Sequence, residues 1–251
     1  MINSSKERLV FSHRGLNQQA PENTMSAFAP LPSAGVTWFE TDVDITADGT
    51  LLIMHDETLD RTTNASGPYD NLCAAKLACI DAGSWFNSSF AGEPIPTLPQ
   101  IVDFMNSTGL SANIEIKSNR CGRERTFALI DGVIAELSRV RSGVDYIVSS
   151  FNPLLLAEFK RRAPHIRVGC LFSNVTLGAD WLSILELVGA DFIHPEDEGL
   201  TAAQIREFID RGYGVNVWTV NERQRAEQLF DWGVSGIFTD RADEFIDLQH
   251  I

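Results

Sequence analysis

Apolar residues fall in short runs along the chain, at positions 9–12, 38–45, 51–54, 112–116, 146–149, 168–172, 190–193, 215–219 and 236–239. Each run is short and bounded by turn-forming residues, which predicts buried strands. Between most of them lie stretches with helical spacing. Residues 154–162 follow Pro153, and residues 202–211 carry Ile205, Phe208 and Ile209. Residues 222–232 place Ala226, Leu229 and Phe230 on one face and stop before Gly233, as a helix with a C-terminal glycine does. Strands alternating with helices predict a parallel sheet joined by right-handed crossovers. With 38–45 and 51–54 counted as one strand plus a hairpin excursion, eight β/α units remain. Eight units in 251 residues predict an α/β fold of the (β/α)8 TIM barrel type. An open doubly wound sheet is the competing architecture, and no G-x-G-x-x-G follows the first strand to support it.

Residues 56–99 break the alternation. They are rich in Asn, Ser, Gly and Pro, carry Tyr69, Trp85, Phe86 and Phe90, and are too long for an ordinary barrel loop. They read as a small insertion after the second strand, placed over the catalytic face or simply capping the barrel. The expectation is one catalytic domain over residues 1–251, with that insertion at about 56–99.

Composition narrows the class of partner. Acidic residues outnumber basic ones 34 to 20, for a formal charge of −14 and a pI near 4.7. A nucleic-acid binder presents a basic face, so none is expected as partner. An anionic substrate is equally disfavoured by the mean field, unless local cations or a metal reverse it. No secretory signal and no membrane-length apolar run is seen, which predicts a cytoplasmic protein without stable membrane insertion. Cys73, Cys79, Cys121 and Cys170 show neither C-x-x-C nor zinc-like spacing and read as reduced thiols. The prominent Trp and Phe residues suit a subunit interface as well as a substrate wall, so a homo-oligomer stays open.

In a β/α barrel the chemistry sits where the strands end. The first strand ends in Ser12-His13-Arg14-Gly15, a histidine followed by a guanidinium suited to phosphate oxygens. Asn23 or Thr24 caps the helix that follows, and Asn23 is close enough to that strand end to be a ligand instead. In the second strand Glu40 and Asp42 share a face; seen alone the pair reads as an acidic strand end facing solvent, whereas two inward carboxylates would call for a cation. The run 51–54 ends at His55, a second acid/base candidate. Glu115 and Lys117 share a face of the next strand, either as a plain ion pair or as a third carboxylate and a phosphate contact. Three oxygen donors suit a hard cation such as Mg2+ or Ca2+, and two histidines suit general acid and base at a P–O bond. His194, at a later strand end, reads as structural or as a secondary substrate contact.

These residues lie in a string of motifs. They are H-R-G at 13–15, P-E-N-T at 21–24, E-T-D-V at 40–43, T-A-D-G at 46–49 and H-D-E-T-L-D-R-T-T-N at 55–64. D-A-G-S-W-F at 81–86, G-E-P-I-P-T-L at 92–98, N-I-E-I-K at 113–117, S-S-F at 149–151, W-T-V-N at 218–221 and F-T-D at 238–240 follow. In content and order they resemble the glycerophosphodiester phosphodiesterases, especially the short cytoplasmic bacterial form, over nearly the whole chain. The resemblance implies a (β/α)8 barrel that hydrolyses glycerophosphodiesters to an alcohol and sn-glycerol 3-phosphate. It implies one divalent metal (Mg2+ or Ca2+, with Mn2+ an option) on Glu40, Asp42 and Glu115, and His13 and His55 as the acid/base pair. Arg14 and Lys117 would contact the substrate phosphate and Trp218 would line the pocket, while Asn23, from its place near the first strand end, is a further candidate for substrate binding. Leu16 departs from the pattern, since many members have a second glycine there. A phospholipase-type barrel acting on lipids, with an apolar rim near Trp85, Phe86 and Phe90, and a barrel that binds phosphodiesters without cleaving them are the alternatives.

Overall fold

The computed structural model describes residues 8–120 and 122–250. Strand β1 (Leu9–His13) pairs in parallel with β2 (Trp38–Ile45). The short β3 (Leu51–Ile53) folds back antiparallel on the far end of β2, with Ile53 opposite Val43. Strand β4 (Ser111–Ile116) pairs with β2 directly. The ring continues through β5 (Tyr146–Ser150), β6 (Val168–Phe172), β7 (Phe192–Pro195), β8 (Gly214–Val217) and β9 (Gly236–Thr239). β9 returns to β1 and closes an eight-stranded parallel barrel, with β3 outside the ring, so the predicted fold and its hairpin excursion are both present.

Helices α1 (Met25–Phe28) and α2 (Ala74–Leu77) are single turns, and α3 (Leu98–Thr108) and α4 (Gly122–Leu137) are longer. Helices α5 (Pro153–Arg162), α6 (Trp181–Val188), α7 (Ala202–Asp210) and α8 (Arg223–Asp231) follow their strands in turn. Their ends have local causes. Asn152 accepts from the N–H groups of Leu154 and Leu155 ahead of Pro153, a helix start that satisfies otherwise orphaned donors. Thr201 and Gln204 form a reciprocal capping box at α7.

Two packed layers result. The outward side chains of the strands, among them Val10, Phe39, Ile114, Val148, Val168 and Ile237, are buried against the helices. Inside the barrel Phe11, Trp38, Ile147 and Phe238 form a second cluster. Phe11 stacks on Phe238 with centroids 4.5 Å apart and meets Trp38 edge-on at 5.3 Å. Phe11 lies two residues before His13, so these rings make the floor beneath the strand ends. His194 belongs to this packed interior. It is fully buried, with Nε2 3.0 Å from the Asn216 amide and its ring 5.2 Å from that of Phe238. Burial pushes its pKa down to about 3, so the ring is neutral.

The segment after β3 has a cluster of its own, built from Leu52, Met54, Leu59, Tyr69, Leu77, Ala82 and Ile95. It is tied to the barrel by Tyr69, whose hydroxyl donates to Asp44 at 2.8 Å, and by Glu93, which accepts from the backbone N–H and hydroxyl of Ser26. Pro99, the expected end of the insertion, lies in the first turn of α3. Cys73, Cys79 and Cys170 are free thiols, and Cys121 lies outside the described residues.

Candidate active site

Three adjacent strand ends carry the acidic cluster and one of the histidines. The register sets His13 of β1 beside Glu40 of β2, and Asp42 of β2 beside Glu115 of β4. Side chains two apart on β2 share a face, so Glu40, Asp42 and Glu115 converge, with one oxygen of each within 4.8 Å of the others and all three buried. The chain leaves β1 through a tight turn, with Arg14 at φ 57° and Gly15 at φ 84°. A Cβ at Gly15 would lie 2.7 Å from that of Ala27, so only glycine fits. The turn aims the Arg14 N–H at the Glu40 carboxylate (3.1 Å) and brings its Nε within 3.4 Å of Asp42 Oδ2.

The electrostatics of the triad are unbalanced. Burial opposes ionisation of Asp42, but Lys117, Arg14 and His55, with a hydrogen bond from Asn23, hold its carboxyl well below the usual range. Burial and the neighbouring Asp42 push Glu40 well above its ordinary value. Burial also raises Glu115, against the pull of Lys117. Lys117 Nζ donates to Glu115 at 2.7 Å and lies 3.4 Å from Asp42 Oδ1. Asp42 Oδ1 is buried without a hydrogen-bond partner. A buried carboxylate oxygen left open, next to two carboxylates whose ionisation is suppressed, is the environment a hard divalent cation fits.

Both histidines are held from behind. His13 Nδ1 is 2.8 Å from Asp240 Oδ1, and Asp240 also accepts from the side chains of Asn17 and Asn221. Those hydrogen bonds hold the Asp240 carboxyl low despite its burial. His55 Nδ1 is 2.6 Å from Asp56 Oδ1. Asp56 is held at about 2, chiefly by hydrogen bonds from Arg61. With Nδ1 committed to a carboxylate, each ring keeps Nε2 for other work.

A cavity of about 250 Å3 opens between them, and its wall includes His13, Arg14, Glu40, His55, Glu115 and Trp218. Asn113, Ser149, Phe151, Leu171 and Phe238 complete the lining, so one side is charged and the other mostly apolar. Phe151 is 44% exposed and meets Trp218 edge-on at 5.5 Å. Three of the anticipated residues stand behind this wall. The Asn23 amide donates to Asp42 Oδ2 at 2.8 Å and accepts from Thr41, while Thr24, not Asn23, caps α1. Asp42 is fully buried, and Lys117 faces a neighbouring hollow shared with Ser118, Asn119 and Asn152. Lys117 is ion-paired with Glu115 and stays within reach of Asp42 in the triad. His194 is not among the lining residues.

Sequence reasoning did not single out Asp56, Asp240, Glu22, Arg61, Phe151 or Leu171. All but Leu171 lie within quoted motifs, Asp56 immediately after His55 and Asp240 at the end of F-T-D, yet nothing local says that either carboxylate faces an imidazole. The partner of His13 lies 227 positions away.

A closed parallel barrel with buried carboxylates, two anchored imidazoles and flanking cations at its strand ends defines the class, a (β/α)8-barrel hydrolase. Comparison with known proteins narrows this. The sequence model of the glycerophosphoryl diester phosphodiesterase family matches residues 13–244. A glycerophosphodiester phosphodiesterase of Caldanaerobacter subterraneus subsp. tengcongensis is 33% identical over 244 residues, covering 96% of this chain and 97% of its own. A solved phosphodiesterase of Oleispira antarctica, in complex with the product sn-glycerol-3-phosphate, superimposes with a TM-score of 0.87 at 28% identity and 96% coverage of both chains. The glycerophosphodiester phosphodiesterase of Agrobacterium tumefaciens gives 0.75 at 29% identity, covering 96% of this chain and 99% of its own. The chain belongs to the glycerophosphoryl diester phosphodiesterase family and is an enzyme, a phosphoric diester hydrolase. Among the described residues, no helix is long and apolar enough to cross a membrane.

Proposed function

We propose that the chain is a divalent-metal-dependent enzyme acting on small glycerophosphodiesters, releasing an alcohol and sn-glycerol 3-phosphate with His13 and His55 as acid and base. The observation that carries the reading is the pairing of two carboxylate-anchored imidazoles with a buried triad in which Asp42 Oδ1 is left open. Glu40, Asp42 and Glu115 would hold the metal. A divalent cation there supplies Lewis-acid polarisation of a phosphoryl oxygen and offsets its charge.

The chain's own groups do the rest. Arg14 and Lys117 add positive charge where the phosphoryl group sits, which answers the net charge of −14. Asn23 acts through Asp42, fixing which oxygen faces the site. Trp218 and Phe151 form the wall for the carbon part of the substrate. The nucleophile, water or a neighbouring glycerol hydroxyl, gives its proton to Nε2 of one histidine. The other histidine protonates the departing oxygen, so one P–O bond forms as one breaks and the site gains no net proton. Where the hydroxyl attacks, the product is a cyclic phosphate, which water then opens to sn-glycerol 3-phosphate with the two histidines in exchanged roles. Asp56 and Asp240 steady the imidazolium that forms in each case.

The test is release of sn-glycerol 3-phosphate from glycerophosphocholine and glycerophosphoethanolamine, with chelator and then with Mg2+, Ca2+ or Mn2+ restored. Release only with metal, lost in both His13→Ala and His55→Ala, is expected. Equal rates with chelator would remove the metal, and unchanged turnover in either variant would remove that histidine. One observation favours a second substrate class. Phe151 and Val175 in the loops after β5 and β6, and Leu154 in the first turn of α5, are exposed at the same end of the barrel as the cavity, while Trp85, Phe86 and Phe90 pack on one another in the insertion. A short-chain lysophospholipid hydrolysed with higher kcat/KM than glycerophosphocholine would favour the lipid reading.

A further inference from the structure

Arg61, carried by the segment after β3, makes four hydrogen bonds to two carboxylates. Nε and Nη2 donate to Asp56 at 2.7 and 2.9 Å, and Nη1 and Nη2 donate to Glu22 at 2.7 and 2.8 Å. The single nitrogen shared by both forks, Nη2, meets Asp56 Oδ1 and Glu22 Oε1. Those two oxygens have other tasks. Asp56 Oδ1 holds His55 Nδ1 at 2.6 Å, and Glu22 Oε1 accepts from Arg14 Nη1 at 2.9 Å. One guanidinium nitrogen therefore sits between the oxygen that anchors an imidazole and the oxygen that anchors the cavity's arginine.

We propose that Arg61 is a positioning residue that locks His55 and Arg14 into one register, so that proton transfer and phosphate recognition are set together. The inference rests on the functional reading above. An isolated surface ion pair contributes little and tolerates many geometries. This arrangement differs, because both carboxylates are bound by planar forks and both are largely withdrawn from solvent (14% and 25% exposed side chains). Without Arg61, Asp56 and Glu22 are two neighbouring carboxylates free to rotate, each with a single partner left to follow it. Lysine preserves the charge but not the fork, so it cannot bridge both carboxylates in this geometry. Arg61 also lies on the segment outside the barrel ring, which makes that segment a contributor to the site.

The full-length chain with metal restored tests this through a split in kinetic constants. Asp56→Asn should lower kcat chiefly, Glu22→Gln should raise KM chiefly, and Arg61→Ala should do both, with kcat/KM reduced roughly tenfold to a hundredfold. Added to Asp56→Asn, Arg61→Ala should lower kcat little further while still raising KM. Arg61→Lys should fail to restore either constant, and free guanidinium ion should partly rescue Arg61→Ala. Arg61→Gln replaces the alanine variant if that one does not fold. An Arg61 variant with wild-type kcat and KM, a change in only one of them, or full rescue by lysine would overturn the proposal. Calorimetric affinity for inorganic phosphate reads the Arg14 arm without turnover. A wild type that binds phosphate but cleaves no glycerophosphodiester sinks the functional reading alone. Phosphate affinity weakened several-fold in Arg61→Ala then still supports the coupling, and unchanged affinity overturns it.

Discussion

His13 and His55 share a feature that separates them from His194. Each has a carboxylate on Nδ1 and lines the cavity, whereas His194 spends Nε2 on an amide within the packed barrel. Replacing Asp240 by Asn keeps the shape but removes the charge that steadies a protonated His13. Turnover should fall roughly tenfold to a hundredfold with little change in KM, measured by glycerol 3-phosphate release. A fall in substrate affinity alone would instead make Asp240 a scaffold for the substrate wall. Glu40 and Asp42 were legible because they lie two apart on one strand, and strand periodicity forces them to one side, as it does Glu115 and Lys117 at the end of β4. The aspartates behind the imidazoles were not, since which carboxylate faces which ring depends on contacts across the barrel that no local pattern encodes.

Elements were legible in proportion to their periodicity. The strands, and the helices at 154–162, 202–211 and 222–232, lie within a residue or two of their predicted ends, because alternating burial and a helical apolar stripe leave a mark in sequence. The runs at 190–193 and 215–219 are displaced, the strands occupying Phe192–Pro195 and Gly214–Val217. Helix α1 is one turn long, too short for any stripe, and only its capping residues marked its start. The segment after β3 was marked as an insertion by composition and length but is held by scattered apolar residues that no period reveals. The turn after β1 is the element on which the site depends most directly. Gly15→Ala would add a methyl 2.7 Å from Ala27 in a left-handed conformation. Destabilisation of about 1–3 kcal/mol is expected from denaturant midpoints. Activity should fall further than that loss of stability explains, because Arg14 is the preceding residue. Activity scaling only with the folded fraction would show that Arg14 is placed independently of the turn.

For the molecule as a whole, the buried neutral His194 should mark its stability against acid. The unfolded chain takes up a proton at this residue near the ordinary value of 6.5, and the folded chain only near 3. Between those values the unfolded state binds more protons, so stability falls as pH falls through that window. Asp56, with its folded value near 2, adds a similar loss only below 3.8. His194→Asn should therefore flatten the difference in urea midpoint between pH 7 and pH 5, even if it weakens the protein at both. An unchanged pH slope would place the acid sensitivity elsewhere. Closure of the barrel was inferable only by counting units, since the pairing of β9 with β1 joins the two ends of the chain.

β2 is long enough to serve two neighbours on one edge, with β1 along its first residues and β3 along its last. The barrel's ring of hydrogen bonds is therefore complete before β3 is added. What hangs from β3 is a graft on an overhang. Descent can lengthen, trim or exchange it without disturbing the register of any barrel strand, provided that the few residues reaching back to the strand ends are kept. A chimaera carrying another member's graft should accordingly fold around the same eight strands.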